Sequence, residues 1–220
     1  MNKLELASYI DHTLLKADAV REEIEQLCHE AVNNSFAAVC VNPYWVPLCA
    51  EILENTDVKV CAVVGFPLGA TMTKIKCAEA QLCLENRATE IDMVVNIGAV
   101  KDGHWDFVRE EIEAVTALCH DQNAEIKVIF ETCILNNAEI STLAEICAEV
   151  GVDYLKTSTG FSNDGGRIEA VALMRAVVGE RCKIKASGGI RDYNSAVAFI
   201  NNSVDRIGTS SSMKILESAD

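Results

Sequence analysis

Short apolar runs alternate with longer segments whose apolar residues recur every three or four positions, and the alternation persists along the whole chain. The short runs cover residues 9–13, 36–41, 58–64, 90–97, 126–131, 152–157, 182–187 and 204–208; their length and composition predict strands. Between them, Val20, Ile24, Leu27 and Ala31 fall at helical spacing, as do Val46, Cys49 and Leu53. Met72, Ile75, Ala78 and Leu82 stripe a further segment, and Trp105, Val108, Ile112, Val115 and Cys119 line a long one. In the second half the same spacing links Ile140, Leu143, Cys147 and Val150, then Ile168, Val171, Met174 and Val178, then Tyr193, Val197 and Ile200. Gly151 reads as a helix stop and Ser210-Ser211-Ser212 as the cap of a last helix.

Strands that alternate with helices predict a parallel sheet, because each crossover is long enough to hold a helix. Eight such units with no linker predict an α/β fold, a single (β/α)8 TIM barrel spanning residues 1–220. A doubly wound open sheet is the competitor. Its usual nucleotide fingerprints, GxGxxG after the first strand or GxxxxGK[ST], do not occur in the sequence.

Two strands end on a lysine. Asp153-Tyr154-Leu155-Lys156-Thr157-Ser158-Thr159-Gly160 runs an apolar stretch into Lys156 and then into hydroxyls and a glycine. Lys183-Ile184-Lys185-Ala186-Ser187-Gly188-Gly189 repeats the arrangement around Lys185. A lysine at the end of an apolar strand is costly to bury unless it is neutral, paired or reactive. On neighbouring strands each ammonium would oppose the charging of the other, leaving one free amine as a nucleophile for carbonyls. The competing reading of Lys156 is a side chain whose head reaches solvent. Asp92, like both lysines, falls in or near the C-terminal half of its strand, where a barrel keeps its chemistry, as a proton relay or as one half of a structural ion pair with a neighbouring lysine. Gly188 and Gly189, with Ser210 and Ser211, fit the phosphate site that barrels build after strands seven and eight; simple turn and cap residues are the alternative. Lys127 and Glu131 share a strand parity and are expected to pair. Cys40 reads as core, and His12 is ambiguous.

Composition narrows the partners. The net charge of -14 and the lack of any Lys/Arg run argue against nucleic acid and anionic membrane, leaving a small molecule. Ten cysteines with no CxxC pair and no zinc spacing read as buried thiols of a reducing, cytoplasmic compartment, and no metal or cofactor is expected. The first residues carry no apolar signal segment, and no later run is long enough to span a bilayer.

These segments resemble the deoxyribose-phosphate aldolases over nearly the whole chain. The resemblance rests on Ile10-Asp11-His12-Thr13-Leu14, Val39-Cys40-Val41-Asn42-Pro43, Val64-Gly65-Phe66-Pro67-Leu68-Gly69 and Glu90-Ile91-Asp92-Met93-Val94. It rests above all on Lys156-Thr157-Ser158-Thr159-Gly160 and Lys185-Ala186-Ser187-Gly188-Gly189, and it continues through Gly208-Thr209-Ser210-Ser211. It implies reversible cleavage of 2-deoxy-D-ribose 5-phosphate to D-glyceraldehyde 3-phosphate and acetaldehyde without a metal. It further implies Lys156 as the Schiff-base lysine, Lys185 as the lysine that tunes it, and Asp92 as the acid/base partner working through water. Thr159, Gly160, Gly188, Gly189, Ser210 and Ser211 match the phosphate positions. Phe161 stands where some family members carry a lysine. A homodimer or homotetramer is expected.

Overall fold

The computed structural model describes residues 1–219. Its eight strands are β1 (Ile10–Leu14), β2 (Ala38–Val41), β3 (Lys59–Val64), β4 (Glu90–Val94), β5 (Glu125–Ile129), β6 (Tyr154–Lys156), β7 (Lys183–Ser187) and β8 (Arg206–Thr209). They pair in sequence order, all parallel, and β8 returns to β1 to close the barrel. The helices are α1 (Lys3–Ala7), α2 (Arg21–Asn34), α3 (Val46–Ile52), α4 (Thr73–Glu85), α5 (Ile97–Lys101), α6 (Trp105–Asp121), α7 (Asn137–Val150), α8 (Ile168–Val178), α9 (Tyr193–Asn201) and α10 (Ser212–Glu217). The predicted (β/α)8 barrel is the observed one.

Alternation along each strand sorts side chains into two populations. Val39, Val41, Ala62, Ile91, Met93, Val128, Leu155, Ile184 and Ile207 point outward and pack against Ile24, Leu27, Ile112, Val115, Leu143, Val171 and Met174 of the helices. The inward positions are mostly polar, apart from a small cluster of Ala38, Cys40, Cys61 and Val63 under β2 and β3. Cys40 thus faces the lumen as buried packing.

Three local expectations change. The fourth strand stops at Val94 instead of reaching Ile97, because the Asn96 side chain accepts from the Ala99 N–H and starts α5. The short α1, capped by Asn2, precedes the first strand and carries too little periodicity to be seen in sequence. The stripe Met72, Ile75, Ala78 and Leu82 of α4 is exposed rather than core. That helix buries Lys76, Ala80 and Cys83 instead, since the Lys76 ammonium finds polar partners inside.

Candidate active site

The inward side chains of six strands form one ionic network. Lys156 at the end of β6 donates to Asp92 Oδ2 on β4 at 2.6 Å, and Lys185 on β7 donates to the same oxygen at 2.8 Å. Strand register puts Lys156 directly beside Lys185. The other oxygen of Asp92 meets Lys127 at 2.9 Å and accepts from the Cys61 thiol at 3.0 Å. Lys185 also pairs with Asp11 on β1, which accepts from Arg206 on β8 at 2.7 Å. Lys127 and Arg206 both reach Glu90, and Tyr154 accepts from Arg206 at 3.2 Å.

Burial alone would raise the Asp92 carboxyl, but the ammonium groups of Lys127, Lys156 and Lys185 and the Cys61 thiol outweigh it and hold it well below the usual carboxylate range. Asp11 shows the same contest, with burial opposed by Lys185, Arg206 and Lys127, and is likewise lowered. Burial disfavours the charged form of Lys185, yet Asp11 and Asp92 overcome it and raise the group above the ordinary lysine value. Lys185 is therefore a fixed cation. Burial pushes the Cys61 thiol well up, so it stays protonated.

Above this network lies a cavity of about 210 Å³ at the C-terminal end of the barrel. Lys156 is the one member of the network that lines it; Asp92 and Lys185 are fully buried just beneath. Thr159, Gly160, Gly188, Gly189 and Ser210 line the same cavity, as the sequence reading placed them together. Ser211 does not line it: it is the N-terminal cap of α10, and its N–H goes to Thr209 Oγ1 at 2.9 Å. The turn after β7 has positive φ at both Gly188 (82°) and Gly189 (80°), which favours glycine at both positions. A Cβ on Gly165 would sit 2.0 Å from the Gly188 carbonyl oxygen, so the loops after β6 and β7 interlock only without it. Phe161 packs edge-on to Phe66 and forms an apolar side of the mouth.

Several functional neighbours escape the sequence reading. Asp11, Glu90 and Arg206 belong to the network, and the signal was present: each is an ionisable residue on the inward parity of its strand. Lys16 and Arg191 line the cavity as exposed cations at its rim. The expected Lys127–Glu131 pair does not form. Glu131 lies past the end of β5 with φ 57°, and its carboxylate accepts from the Thr159 N–H and hydroxyl, tying down the loop after Lys156. His12 points outward, bridging Glu30 at 2.8 Å and Ser212 at 2.9 Å.

The arrangement offers a lysine at a pocket floor with a carboxylate and a second ammonium behind it, a constellation suited to carbonyl addition and proton transfer. Known proteins similar to this chain are aldolases. The model of the DeoC/LacD family aldolases matches residues 6–216. The chain is 50% identical to a deoxyribose-phosphate aldolase of Thermococcus gammatolerans over 98% of its length and 97% of the relative's. It is 47% identical to one of Histophilus somni, covering 98% and 96%. Among solved structures, the tetrameric deoxyribose phosphate aldolase of Aeropyrum pernix superposes with a TM-score of 0.92 at 34% identity, covering 98% of this chain and 91% of that one. The chain belongs to the DeoC/LacD family of aldolases, carbon–carbon lyases, and within it to the deoxyribose-phosphate aldolases.

Proposed function

We propose that the chain cleaves 2-deoxy-D-ribose 5-phosphate reversibly to D-glyceraldehyde 3-phosphate and acetaldehyde through a Schiff base on Lys156. The observation that carries this reading is the position of Lys156, the sole network side chain at the cavity, with Asp92 2.6 Å behind it. The lone pair of its amine attacks C1 of the open-chain aldehyde, and loss of water leaves a protonated imine. A base takes the C3 hydroxyl proton, the C2–C3 bond breaks, and its electrons move into an enamine on the lysine. The three-carbon aldehyde leaves; protonation of C2 and hydrolysis then release the two-carbon one.

Attack on the aldehyde requires Lys156 as the free amine. Asp11, Glu90 and Asp92 are matched by Lys127, Lys185 and Arg206, three against three, without Lys156. In this reading Lys185 is the fixed positive neighbour of the nucleophile. Asp92 takes the C3 hydroxyl proton through a water and returns it to C2 of the enamine, while Lys185 stays charged beside it.

Thr159, Gly160, Gly188, Gly189 and Ser210 are the proposed phosphate cradle, joined by the rim cations Lys16 and Arg191, and Ser211 beside them caps the helix that starts there. Orientation by a remote phosphate lowers the barrier at the reacting carbons. Replacing Ser210 and Ser211 together by alanine is expected to raise KM for the phosphorylated sugar by roughly tenfold and to spare 2-deoxyribose. Equal losses on both substrates would refute the cradle. We read residues 1–220 as one catalytic unit serving deoxyribose phosphate catabolism in the cytoplasm, where ten unpaired cysteines are stable. No helix among the described residues is long and apolar enough to cross a membrane. The exposed stripe on α4 and the tetrameric Aeropyrum pernix relative support self-association as a dimer or tetramer.

A further inference from the structure

A second buried ion pair grips the strand that carries Asp92, from outside the barrel. Lys76 on α4 and Glu111 on α6 are fully buried, with Nζ 2.8 Å from Oε1. They touch none of the lumen network and do not line the cavity. Lys76 Nζ also donates to the Val94 carbonyl at 2.8 Å, and the Asn96 N–H donates to Glu111 Oε2 at 2.9 Å. Val94 and Asn96 follow Asp92 on the same strand and its exit.

Strand β3 leaves this end free. Its chain turns at Gly65 (φ 61°), whose N–H goes to Glu79 instead of continuing the ladder. A Cβ at Gly65 would lie 2.9 Å from Lys76 Cε, so the turn is shaped around the lysine. A buried ion pair is a poor way to gain stability, because an apolar pair of similar volume often serves as well. What an apolar pair could not supply is the two bonds to the backbone of β4.

We propose that Lys76 and Glu111 are positioning residues: they fix the C-terminal end of β4 and so hold the Asp92 carboxylate against Lys156 and Lys185. The proposal rests on the reading of Asp92 as a proton-transfer group. Loosening the end of β4 moves Asp92 without touching the pocket wall. The effect therefore falls on kcat and leaves KM in place.

The test is a cycle of Lys76→Met with Glu111→Leu, Asp92→Asn, and all three together, each checked for folding by circular dichroism and assayed for cleavage of 2-deoxyribose 5-phosphate. The Lys76→Met/Glu111→Leu protein is expected to lose about 10- to 100-fold in kcat with KM within about twofold. In the Asp92→Asn background the same pair of changes is expected to cost nothing further, because the group it positions is gone. Unchanged kcat in the Lys76→Met/Glu111→Leu protein, or losses that multiply in the triple variant, would overturn the proposal while leaving Asp92 its role. Full kcat in Asp92→Asn alone would instead remove that role and the proposal with it. If the double replacement does not fold, Lys76→Met with Glu111→Gln, which removes the donor to Val94, keeps an acceptor for Asn96 and leaves no buried charge, enters the same cycle under the same criteria.

Discussion

The lumen of the barrel and the shell around it are built from the same strands yet obey opposite rules. In the shell, Ile91, Met93, Leu155 and Ile184 meet helix residues such as Ile112, Leu143 and Met174 in a continuous apolar layer. Each fully buried aliphatic side chain there contributes about 1.5–3 kcal/mol of burial. In the lumen, one residue away along the same strands, Asp92, Lys156 and Lys185 sit in a charged lattice whose desolvation cost offsets much of its attraction. The shell holds the fold together, whereas the lumen places reactive groups at defined distances. A one-residue slip of any strand would exchange the two.

That division can be broken from either side. Asp92→Asn, a lumen change that nearly preserves shape, is expected to lower kcat by roughly 10²- to 10⁴-fold. Ile112→Ala, a shell change, is expected to cost about 2–5 kcal/mol of stability while the folded fraction keeps its kcat. Denaturant titration beside steady-state kinetics reads both; a shell variant that lost kcat without losing stability would erase the distinction.

A smaller effect separates the regions by pH. Asp11 and Asp92 have lowered native values, so their contribution to stability is complete above the usual carboxylate range and is lost as pH falls through those native values. Lys185 is raised, so its contribution is complete below the usual lysine range and is lost only as pH rises above it. Thermal unfolding is expected to show an acid limb that begins in the usual carboxylate range, to which Asp11 and Asp92 both contribute. Asp11→Asn should make that limb shallower. An identical limb would mean that Asp11 carries no such linkage.

The shell was the legible half. Its alternating and helical periods follow from which face of each element is apolar, and eight strand–helix pairs could be counted from them. The one face read wrongly, on α4, shows why: a buried Lys76 satisfied by Glu111 and a backbone carbonyl has no apolar signature, and the apolar stripe opposite it stands in solvent. In the lumen, Lys156, Lys185 and Asp92 were visible because charges in apolar strands demand partners. The partners themselves were less so. Asp11 and Arg206 lie at opposite ends of the chain and meet only because β8 pairs with β1. Glu131 passed as a strand residue because its left-handed turn toward Thr159 is a property of the closed barrel mouth, not of local spacing.

The central claim is that Lys156 forms the covalent bond. Borohydride reduction in the presence of acetaldehyde, followed by peptide mass spectrometry, tests it most directly. A two-carbon adduct is expected on the peptide bearing Lys156, absent in Lys156→Ala and reduced in Lys185→Leu. An adduct on another lysine, or none in an enzyme that still turns over, would contradict it.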